Sequence, residues 1–508
     1  MSTVESAANE EHLEDEAESG NNRMMFNVIP SWMISFVGHV ALIIILAILV
    51  IPRKEKITTA LEASATSTEA VEAIDLDLAD FDDSTEEISE TEIEDAAAEV
   101  EVETVTDLEP LEALDPAEFV GAEALVFDDS DFGAVVGGGA AGGVTGRTGD
   151  GIKNGLKKNG GNDASEEAVQ LALKWIVKHQ LPDGSWSFDH RKGKGDFRNS
   201  PNPGELTESR NGATALAILP LLGNGHTHLV GKYKKNVRAG LDFLMKNAKR
   251  GGAGISYFEK EGNMYSHGLC SIAFCEAFAM TEDPSLAPFA QGSIWFIEEA
   301  QDPVGGGWRY RPKQRGDTSA VGWQVMALKS GKLSGLSINH KTWRLVDKFL
   351  THASNTNGSS YGYLDAPQSG KFDPALSSIG LLCRMYMGWG KDSPGLVEGV
   401  GFLSERGPSV KADSSNMYYN YYATQVMKQN GGPKWDKWNV KMRDFLIKTQ
   451  NKSGNATGSW YLGGEKPSHS GGKGGRLYYT CMATMTLEVY YRFLPIYSDK
   501  SVTDDFEL

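Results

Sequence analysis

Asp317 stands immediately before an apolar run, and His267 and Asn211 stand at matching places ahead of two others. A carboxylic acid and an imidazole that converge on one cavity can give and take a proton, so Asp317 and His267 are the candidate catalytic residues. Asp before an apolar run also has a plainer use. It caps a helix, accepting backbone N–H bonds. The candidate ligand-binding set is wider: Asn211, His267 and Asp317, then Trp323 and Gln324 one to two turns deeper, and Tyr418, Tyr478 and Arg476 near the starts of further apolar runs. Asp373 and Tyr421 fall in the same zone. A polar and aromatic rim over an apolar lumen is the make-up of a small-molecule pocket.

No metal and no cofactor is expected. The nearest local ligand set is His267, Cys270 and Cys275. The first two can share a helix face, but the third is five residues further on and points elsewhere. The four cysteines, Cys270, Cys275, Cys383 and Cys481, all fall in apolar segments and read as small buried residues. The run GAVVGGGAAGGVTG from residue 133 has no strand-then-helix frame and no Gly-Lys-Ser/Thr after it, so it reads as linker rather than phosphate loop.

The elements that would position these residues recur. An aromatic followed by an aliphatic residue appears at Trp175-Ile176, Phe243-Leu244, Phe296-Ile297, Phe349-Leu350, Phe402-Leu403 and Phe445-Leu446, with three successive intervals of 53 residues. Such a period signals a repeat architecture. Each pair ends a helix that carries charge on one face. A turn rich in Gly, Asn and Ser follows, then a helix apolar nearly all round, which belongs inside. The apolar helices are expected over residues 213–222, 268–279, 319–328, 376–387, 418–427 and 478–493. Six such hairpins predict an all-α protein with an inner and an outer ring of helices, closed on itself.

Three repeats carry more. Trp175-Ile176, Gln180, Gly184 and Trp186 match the aromatic–aliphatic–Gln–Gly–Trp signature known as the QW motif. Phe296-Ile297, Gln301, Gly305 and Trp308 match it with one extra residue, and Phe445-Leu446, Gln450, Gly458 and Trp460 with four. The other three repeats have Ala248, Ser354 and Gly407 where Gln would stand. Over roughly residues 164–497 the chain resembles the squalene–hopene cyclases and their relatives, the protein prenyltransferases among them. The resemblance implies an α/α toroid. It does not transfer a reaction, because function resides in a site rather than a fold. Class II terpene cyclases donate a proton from a D-x-D-D-T pattern. The corresponding residues here are Gln314-Arg315-Gly316-Asp317-Thr318, with Gly316 in place of the proton-donating Asp. The Asp-x-Cys of a prenyltransferase zinc site and the Gly-Cys-Gly-Glu-Gln of a thioester domain are absent from the sequence. The expected function is ligand or partner binding without hopene-type cyclisation. The alternatives are a degenerate cyclase- or prenyltransferase-like enzyme acting on a lipid or isoprenoid, and a TonB-like envelope coupling protein.

The rest of the 508-residue chain reads as a tether. Residues 1–29 are polar and acidic. Residues 30–51 contain a 20-residue run, Trp32 to Ile51, with no Asp, Glu, Lys or Arg, long enough to span a bilayer. Trp32 suits one interface and Arg53, Lys54 and Lys56 the other. Ser35 and His39 lie one helical turn apart within it. They resemble the Ser-x-x-x-His of TonB-type transducers and offer a contact for a partner helix in the membrane. The count of flanking Lys and Arg puts the C-terminal side inside the cell. The TonB-like reading puts it outside, and an extracytoplasmic toroid is the orientation expected here. Residues 52–163 read as a flexible linker, acidic and then Gly-rich, with one apolar island at 119–127. Residues 498–508 form an acidic tail. From Glu62 to Asp131 there are 26 acidic residues and no Lys or Arg, whereas residues 132–508 carry a net charge of +11 out of −19 overall. That asymmetry predicts an anionic ligand or lipid as partner of the toroid. No nucleic-acid module accompanies the basic charge.

Overall fold

The computed structural model describes residues 146–147, 149–252, 254–464 and 469–493. The expected membrane span with Ser35 and His39, the acidic stretch, its apolar island and the acidic tail lie outside the described residues. Among those described, no helix is long and apolar enough to cross a membrane.

Thirteen α-helices are described. An initial helix α1 (Gly149–Asn159) precedes the ring. The outer helices are α2 (Asp163–Lys178), α4 (Lys234–Lys246), α6 (Ala287–Ala300), α8 (His340–His352), α10 (Pro394–Arg406) and α12 (Gly432–Thr449). The inner helices are α3 (Arg210–Gly223), α5 (Asn263–Thr281), α7 (Thr318–Leu333), α9 (Pro374–Tyr386), α11 (Met417–Asn430) and α13 (His469–Leu487). Composition separates the two sets. In α3 every residue from Asn211 to Gly223 is buried, so no face is left for water. In α4 only Val237, Gly240, Leu241 and Leu244 are buried, the stripe that a 3.6-residue period produces. Each inner helix packs on the next, and α13 packs on α3 and α2, which closes an α/α toroid. A two-stranded antiparallel hairpin, β1 (Lys249–Gly251) and β2 (Gly254–Ser256), decorates the turn between α4 and α5.

The repeat motif braces each hairpin to the next. The indole N–H groups of Trp186, Trp308 and Trp460 donate to the carbonyls of Ile176, Ile297 and Leu446, at 2.7, 2.8 and 2.8 Å. The side-chain amides of Gln180, Gln301 and Gln450 each donate twice, once within the turn and once to the next outer helix, at Asn236, Thr342 and Ala168. Because Ala168 belongs to α2, the Gln450 bond at 2.7 Å joins the last repeat to the first. Glycine is required where the turns meet that neighbour. Gly184 and Gly458 have φ of 88° and 90°, and a β-carbon on either would fall within 2.3 Å of a backbone oxygen of the next hairpin. In the third repeat Gly306, not the expected Gly305, fills this place, with φ of 85° and Leu345 O as the obstacle.

Two expectations change. Residues 149–159, inside the stretch read as linker, form α1, which packs Leu156 and Gly155 on the Tyr490–Tyr491 segment. The final inner helix, expected over residues 478–493, stops at Leu487 and continues as a 3-10 turn, Glu488–Tyr490. The turn lets Glu488 and Arg492 turn inward. Arg492 donates to Glu488 at 2.9 Å and to both oxygens of Glu276, and Arg147 donates to Glu276 at 2.9 Å. Burial alone would raise the Glu276 carboxyl, but Arg147 and Arg492 hold it below its usual value. This network lies at the carboxyl ends of α3 and α5, opposite the motif turns.

Candidate functional site at the mouth of the inner ring

Asp317 is the N-cap of α7. Its Oδ1 accepts the Ala320 N–H at 2.7 Å, and its own N–H donates to the Trp308 carbonyl at 2.9 Å. The cap therefore starts the inner helix where the Trp turn ends. The other carboxylate oxygen, Oδ2, is buried without a hydrogen-bond partner and faces the Arg309 Nε at 3.8 Å, itself unpartnered. Burial pushes the Asp317 carboxyl up to about 7, although the Ala320 N–H and the Arg309 cation both pull it down. Arg309 is held over the rings of Tyr310 and Tyr363, whose hydroxyls are 2.7 Å apart.

One turn into the ring, three helices meet through hydroxyls. Ser319 of α7 bonds Tyr265 of α5 at 2.8 Å and Tyr418 of α11 at 2.9 Å. Below them Trp323 stacks on Tyr421 at 5.8 Å and takes Tyr422 edge-on at 5.7 Å. Tyr265, Tyr418 and Tyr478 retain accessible surface although burial drives all three phenols well above their ordinary range. A side chain deep in the protein yet reachable by solvent faces a concavity. The mouth is thus a bowl with partly exposed, neutral phenols on its wall, the Tyr265 and Tyr418 hydroxyls bonded to Ser319 and that of Tyr478 buried, and an aromatic floor. Such a surface suits a ligand with hydroxyl or carbonyl groups and apolar faces.

The structure brings Asp317, Trp323 and Tyr418 together, with Tyr478 beside them through Tyr418. The other expected residues stand elsewhere. His267 is sealed between the rings: its Nδ1 accepts the Tyr257 N–H at 3.2 Å, its Nε2 donates to the Ser293 carbonyl at 3.1 Å, and Phe296 packs on its ring. Burial lowers it to about 4, so it is a neutral packing residue with both nitrogens occupied. Asn211 lies at the start of α3, where the Glu259 carboxylate accepts the Asn211 and Gly212 N–H groups. Gln324 wedges against α5, donating to the Met264 carbonyl at 2.9 Å. Arg476 buttresses turns, donating to Pro201 O, Ser459 Oγ and Asn202 Oδ1. Asp373 caps α9 as Asp317 caps α7, accepting the Leu376 N–H at 2.9 Å.

The displacement of His267 has a simple origin. Asp317 is a cap, whereas His267 is the fifth residue of α5, whose start is set further back by the hairpin. The residue of α5 that does reach the bowl is Tyr265. Sequence reasoning missed Tyr265, Ser319, Arg309, Tyr310 and Tyr363. The available signal was position: Arg309 and Tyr310 directly follow the motif Trp308, and Ser319 is the first small residue inside the capped helix.

No family model matches the chain, and no curated protein matches it in sequence. Solved structures resemble it distantly. An inactive variant of the GH76A α-1,6-mannanase of Salegentibacter sp. HEL1_6, bound to α-1,6-mannotriose, aligns with a TM-score of 0.46 and 12% identity, over 65% of this chain and 99% of that one. The type II terpene cyclase MstE from Scytonema, with merosterolic acid A, gives 0.45 and 10% over 65% and 97%. The GH76 α-mannanase BT2949 of Bacteroides thetaiotaomicron gives 0.45 and 11% over 66% and 98%. Likeness at this level assigns this chain no activity.

Proposed function

We propose that the protein is a membrane-anchored toroid, its ring on the extracytoplasmic side, that binds a ligand in the bowl at the mouth of the inner helices and does not carry out hopene-type cyclisation. The observation that supports this reading most directly is the contact between two glycines. A β-carbon on Gly316 would lie 2.5 Å from Gly307 Cα and 2.9 Å from Trp308 N. Gly316 is the position that corresponds to the proton-donating Asp of the cyclases it resembles, and no side chain fits there without moving backbone. Asp317, the remaining acid, is engaged as a helix cap. The bowl keeps binding groups, Ser319, Tyr418, Tyr265 and Trp323, without a convergent acid–base pair. The test is ligand retention: Asp317→Asn should still hold the bound molecule, because Asn caps about as well as Asp, and Tyr418→Ala should lose it.

One observation favours an enzyme instead. A buried carboxyl near pH 7 with a free oxygen is the usual state of a general acid. On that reading the protein acts on a lipid or isoprenoid through Asp317. Asp317→Asn would then abolish turnover while leaving the fold intact.

A further inference from the structure

The turn between α3 and α4 holds two adjacent aliphatic side chains out of the ring. Leu229 is 45% exposed and Val230 59%. Their backbone is fixed. Thr227 Oγ1 accepts the N–H groups of both, at 3.1 Å each, and the Thr227 N–H donates to the Val230 carbonyl at 3.0 Å. On the inner side of the turn His228 is buried and donates from Nε2 to Asp283 at 2.7 Å. A single exposed aliphatic is ordinary on a protein surface. Here two stand side by side on a bonded turn that cannot fold them inward without breaking these contacts.

Cations surround the tip. Residues 224–241 hold Lys232, Lys234, Lys235 and Arg238 and no Asp or Glu. The three lysines are exposed. Among the described residues none of the four cations makes an ion pair, and the Lys232 ammonium lies over the Tyr233 ring at 5.1 Å. Asp283, the carboxylate that touches the turn, is taken by His228, and its neighbour Glu282 is exposed. Lys234 and Lys235 occupy the first turn of α4, where they add to the positive end of the helix dipole, so their place does not stabilise the helix.

The tip lies at the end of the ring opposite the bowl. It follows the carboxyl end of α3 directly, and the Arg147 carbonyl packs on Gly225 just before it. An aliphatic tip ringed by lysines matches a bilayer with anionic headgroups. The aliphatic side chains suit the boundary between headgroups and acyl chains, and the lysines suit the negative charge at its surface. A soluble acidic peptide would engage the lysines but leave Leu229 and Val230 in water.

We propose that the α3–α4 turn docks the ring on an anionic lipid surface, with Leu229 and Val230 inserted and Lys232, Lys234 and Lys235 at the headgroups. The contact belongs to the ring itself and is separate from the expected membrane span. The bowl, at the other end of the ring, then opens away from the bilayer.

The experiment uses the full chain, purified in detergent and reconstituted into vesicles. One protein carries a polarity-sensitive fluorophore at Val230→Cys. A second carries it at Val304→Cys, an exposed position of the turn after α6, at the mouth end. The vesicles are phosphatidylcholine alone or with phosphatidylserine added, each with and without brominated acyl chains as quencher. With phosphatidylserine present, emission from position 230 should shift to the blue and be quenched several-fold more than in phosphatidylcholine alone, and emission from position 304 should not change. Lys232→Gln, Lys234→Gln and Lys235→Gln together should remove most of that difference without altering the denaturation midpoint in detergent. Quenching at 230 no greater than at 304 would overturn the proposal. So would equal quenching with and without phosphatidylserine, or quenching untouched by the three Gln substitutions. A disulfide forming between unlabelled Val230→Cys chains in detergent, without lipid, would assign the tip to a second copy of the chain and likewise overturn it.

Discussion

Changing Asp317 to Asn should make the protein more stable above neutral pH and leave it unchanged in acid. The Asp317 carboxyl moves from an ordinary value of 3.8 to about 7 on folding, because burial outweighs the Ala320 N–H and Arg309. Below about pH 4 the group is neutral in both the folded and the unfolded chain. As pH rises towards 7 only the unfolded chain ionises, which favours unfolding, and above 7 the cost becomes constant. A shift of about three units at about 1.4 kcal/mol each gives a cost of about 4 kcal/mol. Asn resembles the protonated acid in shape and keeps the Oδ1 cap, so it escapes that cost. Urea denaturation followed by tryptophan fluorescence, run from pH 4 to pH 8, measures the difference. The variant should match wild type near pH 4 and exceed it by up to about 4 kcal/mol at pH 8. A difference independent of pH, or a variant less stable at pH 8, would refute the argument that burial outweighs the Ala320 N–H and Arg309 at Asp317.

Three further outcomes follow from the ring. Trp308→Ala removes a buried indole and its bond to the Ile297 carbonyl, and should cost about 3–5 kcal/mol in denaturation experiments. Gln450→Ala removes the donor that ties the Gly458 carbonyl and, through Ala168 of α2, the first hairpin at the point where the ring closes; it should cost about 1–3 kcal/mol, on the order of 0.5–1.5 for each bond lost. Burial raises the thiols of Cys270, Cys275, Cys383 and Cys481, so none should react with a thiol reagent at neutral pH until the ring unfolds, as mass spectrometry of the alkylated protein would report.

The ring was legible because its repeat is written in large side chains. Six aromatic–aliphatic pairs mark the outer helices, and the Gln and Trp that follow three of them make the same two kinds of bond each time. What the repeat does not encode is where each inner helix starts. The caps are Asp317, Asp373 and Asn416 in three hairpins, but Ser209 and Gly262, which make no side-chain cap bond, in two others. The lead-in to α5 is lengthened by the β-hairpin, and Glu259 from that lead-in supplies the missing cap to α3. Aligning by residue type therefore put His267 at the mouth, when the register puts Tyr265 there. The α1 sequence, GDGIKNGLKKN, has two internal glycines and few apolar residues. Its order comes from contact with the end of the chain, more than 300 residues away, which no local pattern reveals. Asp317 was legible both as acid and as cap. The geometry that bears on the choice, the packing of Gly316 on Gly307, depends on a turn whose path the sequence does not specify.

The most direct test of binding without turnover is to compare what wild type and Asp317→Asn carry from the same cells. Both full-length proteins would be purified in detergent, and the small molecule each holds would be released and identified by mass spectrometry and chromatography. A binding protein should yield the same molecule from both, at comparable occupancy, and Tyr418→Ala should yield little of it. Recovery from Asp317→Asn of a different compound, one that purified wild-type protein converts into the molecule it carries, would contradict the account and make Asp317 a catalytic acid.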